Sequence, residues 1–516
     1  MTKFNAPTNK RTTKTINYEG EEAYSLDNRL ALYSAVVTTS LSDKFYESAG
    51  DRISRISELV KVNDPLFVAK LAVYAREKMY LRSVPLVLLV ELAKAHSGDN
   101  LLSRAVARTV QRADEITELL AYYSQSNGRE DIKKLGKLSK QIQKGLADAF
   151  NKFDEYQFAK YNRDGAVKLK DALFLVHPRP KDEEQQGIFN RIVSDELKVP
   201  YTWEVELSVL GTQSFASEKE KNDAFKAKWE ELIESGQMGY MALMRNLRNF
   251  LNYGVSAEHI ATVCNVLSDK ERVLRAKQLP FRFLSAYRSL KGNSNPNVAM
   301  IVDALEDAIL ASVDNLAGFD YNTSLLIASD VSGSMNVPVS PKSTIENYDI
   351  GIVLGMLLRS KCKSVITGVF GTDWKAVNLP SNTVLHNSDH MEKLSRLVGW
   401  ATNGWKVIEY INAKGVKLDK VMLFSDMQLW DTRNYGYYGQ SSRGNSFKSE
   451  WKNYRKNINP DAKLYLFDLS GYGNTPLSTN DENVYFISGW SEKVFDVLEA
   501  LEAGKSAVSE IENIDI

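Results

Sequence analysis

The chain has 516 residues, which is too long for a single hydrophobic core, so two to four domains are expected. Its 65 Lys and Arg residues balance its 65 Asp and Glu residues, and this zero formal charge excludes a uniformly basic nucleic-acid-binding protein. Any contact with a nucleic acid must therefore come from local basic patches.

Cysteine usage and hydropathy indicate the compartment. Only Cys264 and Cys362 are present, which argues against a disulfide framework and fits a reducing environment, so we expect a cytoplasmic protein. The strongest apolar stretch, 84–90, is far shorter than the ~20 residues that a membrane span requires, and no membrane partner is expected. Residues 1–16 are polar and lack an apolar core, so they are predicted to form a flexible N-terminal arm rather than a secretory signal.

Residues 17–318 are predicted to form a helical domain. Apolar residues recur at a spacing of roughly 3.6 residues, as in amphipathic helices, over 26–39, 65–78, 85–96, 101–123, 137–153, 237–253, 258–267 and 297–316. A long run of helices without strands is typical of α-solenoids and of stacked helical hairpins.

Basic residues crowd one stretch of this domain. They are Lys160, Arg163, Lys168, Lys170, His177 and Arg179. The aromatic residues Tyr161 and Phe174 lie among them. Lys and Arg neutralise phosphates, and a His or aromatic ring can stack on an unpaired base. We therefore predict an RNA-binding surface here, while an ordinary solvated helix face remains the alternative for each residue taken alone.

Smaller basic groups occur elsewhere in the helical domain. Arg245 and Arg248 belong to one segment, and Arg282 and Arg288 to another; all four are predicted to contribute to RNA binding. A lysine stripe at helical offsets is formed by Lys133, Lys137, Lys140 and Lys144. Such a stripe either follows a nucleic-acid backbone or is simply solvated, and the sequence favours neither.

The pattern changes at 317–320, beyond which strands and helices alternate. Apolar strands are predicted at 324–329, 364–371, 420–425, 463–469 and 483–487. Helices are predicted at 347–361, 389–398, 405–414, 446–457 and 491–501. This alternation predicts a doubly wound α/β domain over 319–503, followed by a C-terminal tail over 504–516.

Polar residues follow two of these strands. Asp330, Ser332 and Ser334 come after the first strand, Asp426 comes after the strand 420–425, and Thr402 precedes a turn between them. Ligands bind at the carboxyl ends of strands in parallel sheets, and this all-oxygen set suits Mg²⁺ or another divalent cation. Helix capping would explain an Asp and a Ser but not five positions in three segments.

This pattern resembles the metal-ion-dependent adhesion site of von Willebrand factor A domains. The resemblance implies that Ser332, Ser334 and Thr402 touch the metal ion and that Asp330 and Asp426 bind it mostly through water. It further implies that an acidic group from a partner completes the octahedron.

The segments 160–180, 238–249 and 278–288 resemble the TROVE module, with similarity over about 17–315. A TROVE module followed by a von Willebrand A domain is the architecture of Ro proteins. The resemblance implies a monomer with a HEAT-like helical ring or solenoid that binds small noncoding Y-like RNA and single-stranded 3′ ends. It places Y RNA contacts at Lys160, Arg163 and His177, and it implies a role in noncoding-RNA quality control, with an exoribonuclease as a candidate partner.

Two functions follow. The first is a non-enzymatic RNA-binding protein of the Ro type. The alternative is a metal-dependent protein-interaction scaffold without an RNA function. An enzyme is not expected, because the sequence contains no Gly-rich phosphate loop, zinc-ligand spacing or nucleophile elbow; a metal-dependent nuclease is a distant third hypothesis.

Overall fold

The computed structural model describes residues 13–39, 46–128, 138–162, 165–276, 278–315, 321–339, 343–431, 446–479, 481–489, 494–502 and 508–516. The chain divides into two compact units. The first comprises 1–52, 279–285 and 309–510, and the second comprises 53–278, 286–308 and 511–516. Within the described ranges, no helix is long and apolar enough to cross a membrane.

The first part of the chain is helical after a short hairpin. In chain order its elements are β1 (Lys14–Ile16), β2 (Glu22–Ser25), α1 (Asn28–Val37), α2 (Ala49–Val62), α3 (Pro65–Glu77), α4 (Ser83–Ala95), α5 (Leu101–Thr109), α6 (Ala113–Ser126), α7 (Lys140–Phe150), α8 (Glu155–Tyr161), α9 (Leu169–Val176), α10 (Glu183–Ser194), α11 (Trp203–Gly211), α12 (Glu218–Glu234), α13 (Tyr240–Asn252), α14 (Ala257–Ser268), α15 (Lys270–Ala276), α16 (Pro280–Ser289) and α17 (Val298–Ala311).

Strands and helices alternate in the remainder. These elements are β3 (Ser324–Asp330), α18 (Asn347–Lys361), β4 (Ser364–Phe370), β5 (Trp374–Val377), α19 (Leu385–Ser395), α20 (Trp405–Lys414), β6 (Lys420–Ser425), α21 (Ser446–Asn457), β7 (Lys463–Asp468), β8 (Asn474–Thr475), β9 (Val484–Ser488), α22 (Val494–Glu502) and α23 (Ser509–Glu512). Short 3₁₀ turns cover Ser312–Asn315 and Gly333–Met335.

The second unit is built from packed helices. Helices adjacent in the chain pack as hairpins, as in α3 with α4, α11 with α12 and α13 with α14. Their contacting faces bury the apolar residues that set the helical period, which confirms the predicted class of packed helices. The predicted domain boundary at 317–320 lies outside the described residues.

One predicted helix is wrong. The segment 101–123 forms two helices, α5 and α6, with a break at 110–112. The buried carboxylate of Glu115 accepts a 2.8 Å hydrogen bond from the backbone N–H of Gln111 and forms a 2.9 Å ion pair with Arg76. The apolar spacing continues through 110–112 and did not reveal the break. The break contains no Pro or Gly and is stabilised instead by the buried charge of Glu115.

The first unit contains a six-stranded sheet in the order β5-β4-β3-β6-β7-β9. The pairs β4–β3, β3–β6, β6–β7 and β7–β9 are parallel, and the short edge strand β5 is antiparallel to β4. The chain leaves β3 toward β4 and then returns to the other side at β6, so the strand order reverses between β3 and β6. This confirms the predicted doubly wound α/β fold, in which ligands typically bind at the strands where the order reverses.

Helix α18 lies unusually close to these strands because of two glycines one turn apart. A Cβ at Gly351 would lie 2.9 Å from Cβ of Phe424 on β6, and one at Gly355 would lie 2.7 Å from Cγ2 of Ile327 on β3. Any larger residue would push the helix off the sheet. The glycines therefore fix α18 against the two strands that carry the polar residues.

The N-terminal segment corrects two predictions. Lys14–Ile16 is a strand rather than part of a flexible arm, and it pairs with β2, which in turn pairs with β8 in a second, antiparallel sheet. Residues 13–52 therefore belong to the unit that contains the large sheet, not to a helical domain beginning at residue 17. The pairing depends on backbone hydrogen bonds, which a polar Thr- and Lys-rich sequence does not signal. Residues 1–12 lie outside the described part of the chain.

The end of the predicted C-terminal tail packs against the helical unit. Ile511 in α23 is fully buried. The backbone carbonyl of Glu512 accepts a 2.6 Å hydrogen bond from Lys70, and that of Asp515 accepts one from Arg108. Residues 511–516 are accordingly part of the helical unit.

Candidate functional site

The two aspartates predicted to bind a cation lie at the carboxyl ends of neighbouring parallel strands. The register pairs Ser329 of β3 with Phe424 of β6, so Asp330 ends one strand beside Ser425, and Asp426 follows immediately. Both aspartates are fully buried. The structure thus brings together two carboxylates that are far apart in sequence.

The serines of the first segment converge on the same point. The backbone N–H of Ser332 donates a 2.9 Å hydrogen bond to Oδ1 of Asp330, and the hydroxyls of Ser332 and Ser334 lie 3.3 Å apart. The Ser334 side chain lies close enough to Asp426 to oppose the rise in the pKa of that carboxyl, so the β3 segment approaches the β6 segment at this point.

Thr402 lies in a loop that backbone hydrogen bonds attach to both segments. The N–H of Gly333, between the two serines, donates to the carbonyl of Trp400 at 3.0 Å. The N–H of Trp430 donates to the carbonyl of Thr402 at 3.1 Å. Thr402 is buried. All five predicted positions are therefore buried, on three segments that lie next to one another.

The electrostatics of this cluster suit a cation. Burial raises the pKa of Asp330 to about 6, with hydrogen bonds from Ser332 and Ser425 opposing the rise. Burial and the nearby charge of Asp330 raise the pKa of Asp426 to about 7. Oδ2 of Asp426 is buried and has no hydrogen-bond partner among the described residues. A buried carboxylate oxygen of this kind is costly unless a positive charge satisfies it, so the donor set fits a hard divalent ion.

Three residues at this cluster were not predicted. The Ser425 hydroxyl donates a 2.6 Å hydrogen bond to Oδ2 of Asp330. Tyr46 lies near the Ser334 side chain, and its hydroxyl donates to the Glu19 carboxylate. The repeated Ser-Asp pair at the ends of β3 and β6 could have indicated Ser425, whereas Tyr46 and Glu19 carry no local signal.

The predicted RNA-binding residues of the stretch 160–179 lie in the helical unit, around α8 and α9. The Nζ atom of Lys160 lies 5.6 Å from the ring centroid of Tyr156 and 5.8 Å from that of Tyr161, in cation–π contacts. Arg112 stacks over Tyr161 at 4.2 Å. These contacts group positive charge with aromatic rings on α8. Arg163 lies outside the described residues.

His177 ends α9 in a strained and well-supported turn. Its backbone is left-handed, with φ of 51°, and its N–H donates a 3.0 Å hydrogen bond to the carbonyl of Leu173. The Gln143 amide of α7 donates to the carbonyls of Leu175 and Val176 at 3.2 and 3.3 Å. The exposed imidazole is therefore presented from a fixed backbone.

The surface around this turn is basic and partly aromatic. Lys140 and Lys144 are exposed on α7, whose Asn151 donates to the carbonyl of Arg179 at 2.8 Å. Phe174 is 51% exposed and Tyr156 is 44% exposed. Exposed rings beside lysines are the combination that binds single-stranded nucleic acid. Lys133 and Lys137, the other members of the predicted lysine stripe, lie outside the described residues.

The remaining predicted RNA-binding residues differ in exposure and in ion pairing. Lys168 and Arg179 are exposed, whereas Lys170 is partly neutralised by Asp195 at 3.4 Å. Arg245 and Arg248 are both exposed on α13 and share a face at an offset of three.

The last two predicted arginines fall in different units, although both belong to α16. Arg282 is exposed over the Phe281 ring at 5.3 Å in the first unit, and Arg288 is partly buried in the second.

Comparison with known proteins identifies the family. A model of the TROVE domain matches residues 28–226 and 195–296, which together span more than half of the chain. Telomerase protein component 1 of Rattus norvegicus is 25% identical over 338 residues, which cover 50% of this chain and 12% of that protein. The corresponding protein of Mus musculus is 24% identical over 346 residues, which cover 51% of this chain and 13% of that protein. The chain spans about an eighth of the length of these relatives.

A solved structure resembles the chain over most of its length. The crystal structure of the Deinococcus radiodurans RO (RSR) protein aligns with a TM-score of 0.58 and 18% identity, covering 93% of this chain and 100% of that one. At this identity the likeness is one of fold. The chain therefore belongs to the TROVE domain family and shares the fold of the Deinococcus Ro protein.

Proposed function

We propose that this chain is a non-enzymatic RNA-binding protein of the Ro type. Its helical unit would bind a small, structured, Y-like noncoding RNA and single-stranded 3′ ends of other RNAs, in noncoding-RNA stability or quality control. The observation that carries the proposal is the surface formed by α7, α8 and α9, hereafter the α7–α9 surface. It combines exposed lysines with exposed Phe174 and Tyr156. Membership of the TROVE domain family supports it.

The chemistry of this surface suits RNA in two ways. Lys140, Lys144 and Arg179 supply charge for phosphates, which gives affinity and salt dependence without sequence choice. Phe174, Tyr156 and the His177 ring supply flat faces for unpaired bases. A structured RNA with single-stranded segments would use both.

A binding titration with charge-matched variants tests the proposal. Lys144→Ala combined with Arg179→Ala removes two cations from the α7–α9 surface, and Lys219→Ala combined with Lys221→Ala removes two from α12 as a control. We expect the first pair to weaken RNA binding and to reduce the slope of log affinity against log salt by about two. The control should retain wild-type affinity; an equal loss in both would mean that the α7–α9 surface is not the RNA site.

We also propose that the α/β unit binds Mg²⁺, or another divalent cation, and through it an acidic protein partner such as an exoribonuclease. Ser332, Ser334, Thr402, Asp330 and Asp426 would hold the ion. Support comes from the unsatisfied Oδ2 of Asp426 and from the adjacent buried carboxylates, which repel each other without a cation. When bound, the ion would supply a Lewis-acidic position that attracts a carboxylate.

The same observation favours the second candidate function, a metal-dependent interaction scaffold without an RNA role. One pair of variants distinguishes the two proposed functions. Asp330→Ala or Ser332→Ala should abolish Mg²⁺-dependent capture of the partner and leave RNA affinity nearly unchanged, because the proposed RNA residues lie in the helical unit. A protein that captures an acidic partner but shows no RNA binding in filter assays would favour the scaffold.

A further inference from the structure

The tip of the β1–β2 hairpin is fastened to the segment that carries Asp426. The Asn17 amide donates a 2.8 Å hydrogen bond to the carbonyl of Leu429, and the N–H of Tyr18 donates to Oε1 of Gln428 at 2.9 Å. The N–H of Gln428 in turn donates to Oδ1 of Asp426 at 3.0 Å. Asn17 and Gln428 are both buried. The hairpin tip therefore has a defined position relative to the group formed by Asp330, Ser332, Ser334, Thr402 and Asp426, hereafter the metal-type cluster.

The hairpin turn also fixes the backbone of Glu19. Oδ1 of Asn17 accepts hydrogen bonds from the N–H groups of Glu19 at 3.0 Å and Glu21 at 2.9 Å. Gly20 adopts a φ of 85°, which an L side chain rarely adopts, and its N–H donates to the carbonyl of Asn17 at 3.0 Å. Such an Asx turn holds residue 19 at the tip rather than leaving it to fluctuate.

One phenol hydroxyl links Glu19 to the cluster. The Tyr46 hydroxyl donates to the Glu19 carboxylate and lies near the Ser334 side chain. Its ring stacks on Tyr18 at 5.0 Å and meets the buried Tyr472 edge-on at 5.5 Å. Tyr46, packed between Tyr18 and Tyr472, therefore holds the Glu19 carboxylate on the side of the hairpin tip that faces the cluster.

A third carboxylate beside two buried ones is unfavourable without a positive charge, since like charges repel strongly where water is excluded. A divalent cation reverses the sign of that interaction, and Mg²⁺ favours carboxylates in its octahedral shell. We propose that Glu19 is an in-chain acidic ligand of the metal site, held there by the β1–β2 hairpin and Tyr46. This inference rests on the metal site proposed above.

The assignment has a regulatory consequence. An acidic partner that binds the same ion must first displace Glu19, so the hairpin lowers the affinity of the site for outside carboxylates. Release requires breaking the hydrogen bonds of Asn17 and Tyr18 with the 428–429 segment. The hairpin thus acts as a competing ligand whose effective concentration is high because it belongs to the same chain.

The test uses Mn²⁺ as a spectroscopic substitute for Mg²⁺ on the full chain. Mn²⁺ affinity and the enhancement of water proton relaxation are measured for wild type, Glu19→Gln, Ser332→Ala and the control Glu22→Gln. Glu22 lies on the same hairpin but pairs with Lys14 at 2.8 Å. We expect Glu19→Gln to bind Mn²⁺ at least about tenfold more weakly, because the loss of a direct carboxylate ligand should cost no less than the loss of an outer-shell partner, and to admit an additional water to the ion. Acetate should then reduce the relaxation enhancement in Glu19→Gln only.

The outcomes separate the two proposals. Wild-type behaviour of Glu19→Gln in affinity, relaxation and acetate response, with Ser332→Ala defective, would overturn the role of Glu19 and leave the metal site standing. Absence of Mn²⁺ binding by the wild-type chain would overturn the metal site itself. Equal effects of Glu19→Gln and Glu22→Gln would show that hairpin charge, not ligation, is responsible.

Discussion

Ser425 donates a 2.6 Å hydrogen bond to Oδ2 of Asp330, across the two strands where the order of the sheet reverses. The N–H of Ser332 occupies the other oxygen of that carboxylate at 2.9 Å. Asp330 is therefore satisfied by the protein, whereas Oδ2 of Asp426 is buried without a hydrogen-bond partner among the described residues. The two aspartates consequently differ: hydrogen bonds orient both oxygens of Asp330, whereas one oxygen of Asp426 has none among the described residues.

Ser425→Ala should lower both stability and metal affinity. It removes the donor to a buried carboxylate oxygen, which costs about 1–3 kcal/mol in the free energy of unfolding. Loss of a residue that orients a metal ligand also lowers metal affinity by roughly 10- to 100-fold. Denaturant unfolding and Mn²⁺ titration measure the two effects. Ser329→Ala is the matched control, because the Ser329 hydroxyl is buried and has no partner among the described residues; an equal loss there would contradict the assignment.

The metal-free protein should become less stable as pH rises from about 4 to about 7. Burial raises the pKa values of Asp330 and Asp426 to about 6 and about 7, while an unfolded Asp has a pKa of about 3.9. The folded state therefore holds protons that the unfolded chain has released in this window, so its stability is lost as pH rises through the folded pKa values.

Melting temperatures measured in chelator at several pH values test this dependence. Added Mg²⁺ should stabilise more at pH 7.5 than at pH 5, because both carboxylates must lose their protons to bind it. A chelated protein that is equally stable at both pH values would contradict the prediction, and Asp426→Asn should flatten the dependence.

Phe174→Ala should weaken binding to single-stranded RNA. Stacking of a base on an aromatic side chain contributes about 1–3 kcal/mol, and Phe174 is exposed next to the His177 turn. Fluorescence anisotropy with a labelled oligonucleotide measures the loss, and Phe174→Trp should retain binding. The exposed Val209 on α11 offers a control, since Val209→Ala removes apolar surface without a ring. Unchanged affinity in Phe174→Ala would argue against stacking at this position.

Arg52→Ala should strongly destabilise the unit that contains the large sheet. Arg52 is buried, pairs with buried Glu47, and donates to the carbonyls of Ser470 at 2.5 Å and Gly471 at 3.2 Å. Removing one partner of a buried ion pair costs about 3–5 kcal/mol. Lys61→Ala, which breaks an exposed pair with Glu58 on the same helix, should cost below about 1 kcal/mol. Urea denaturation of both variants tests the difference.

The sequence was sufficient for the parts of the molecule in which side-chain patterning decides the structure. The continuous apolar run of β6, fully buried, and the helical period of α18 predicted their positions, and the five residues of the metal-type cluster were predicted as one group. An apolar strand that is followed directly by Asp and Ser can be recognised in the sequence. In a parallel sheet such residues lie at the carboxyl edge, where ligands bind.

The features that were not predicted depend on contacts between distant segments. The β1–β2 hairpin is polar, and its pairing with β8 relies on backbone hydrogen bonds. Glu19 lies next to the segment that follows Asp426 because Tyr46, Gln428 and Leu429 contact the hairpin tip. No local periodicity encodes such contacts, so they emerge only from the tertiary structure.

Ultraviolet crosslinking of the protein in its native cells, followed by sequencing of the recovered RNA and mapping of the crosslinked residues, tests the central claim most directly. We predict a dominant small structured RNA, with crosslinks on the α7–α9 surface at or near Tyr156, Phe174 and His177. Recovery of RNA no greater than in a mock pull-down, or crosslinks confined to other helices, would contradict the proposed RNA-binding function.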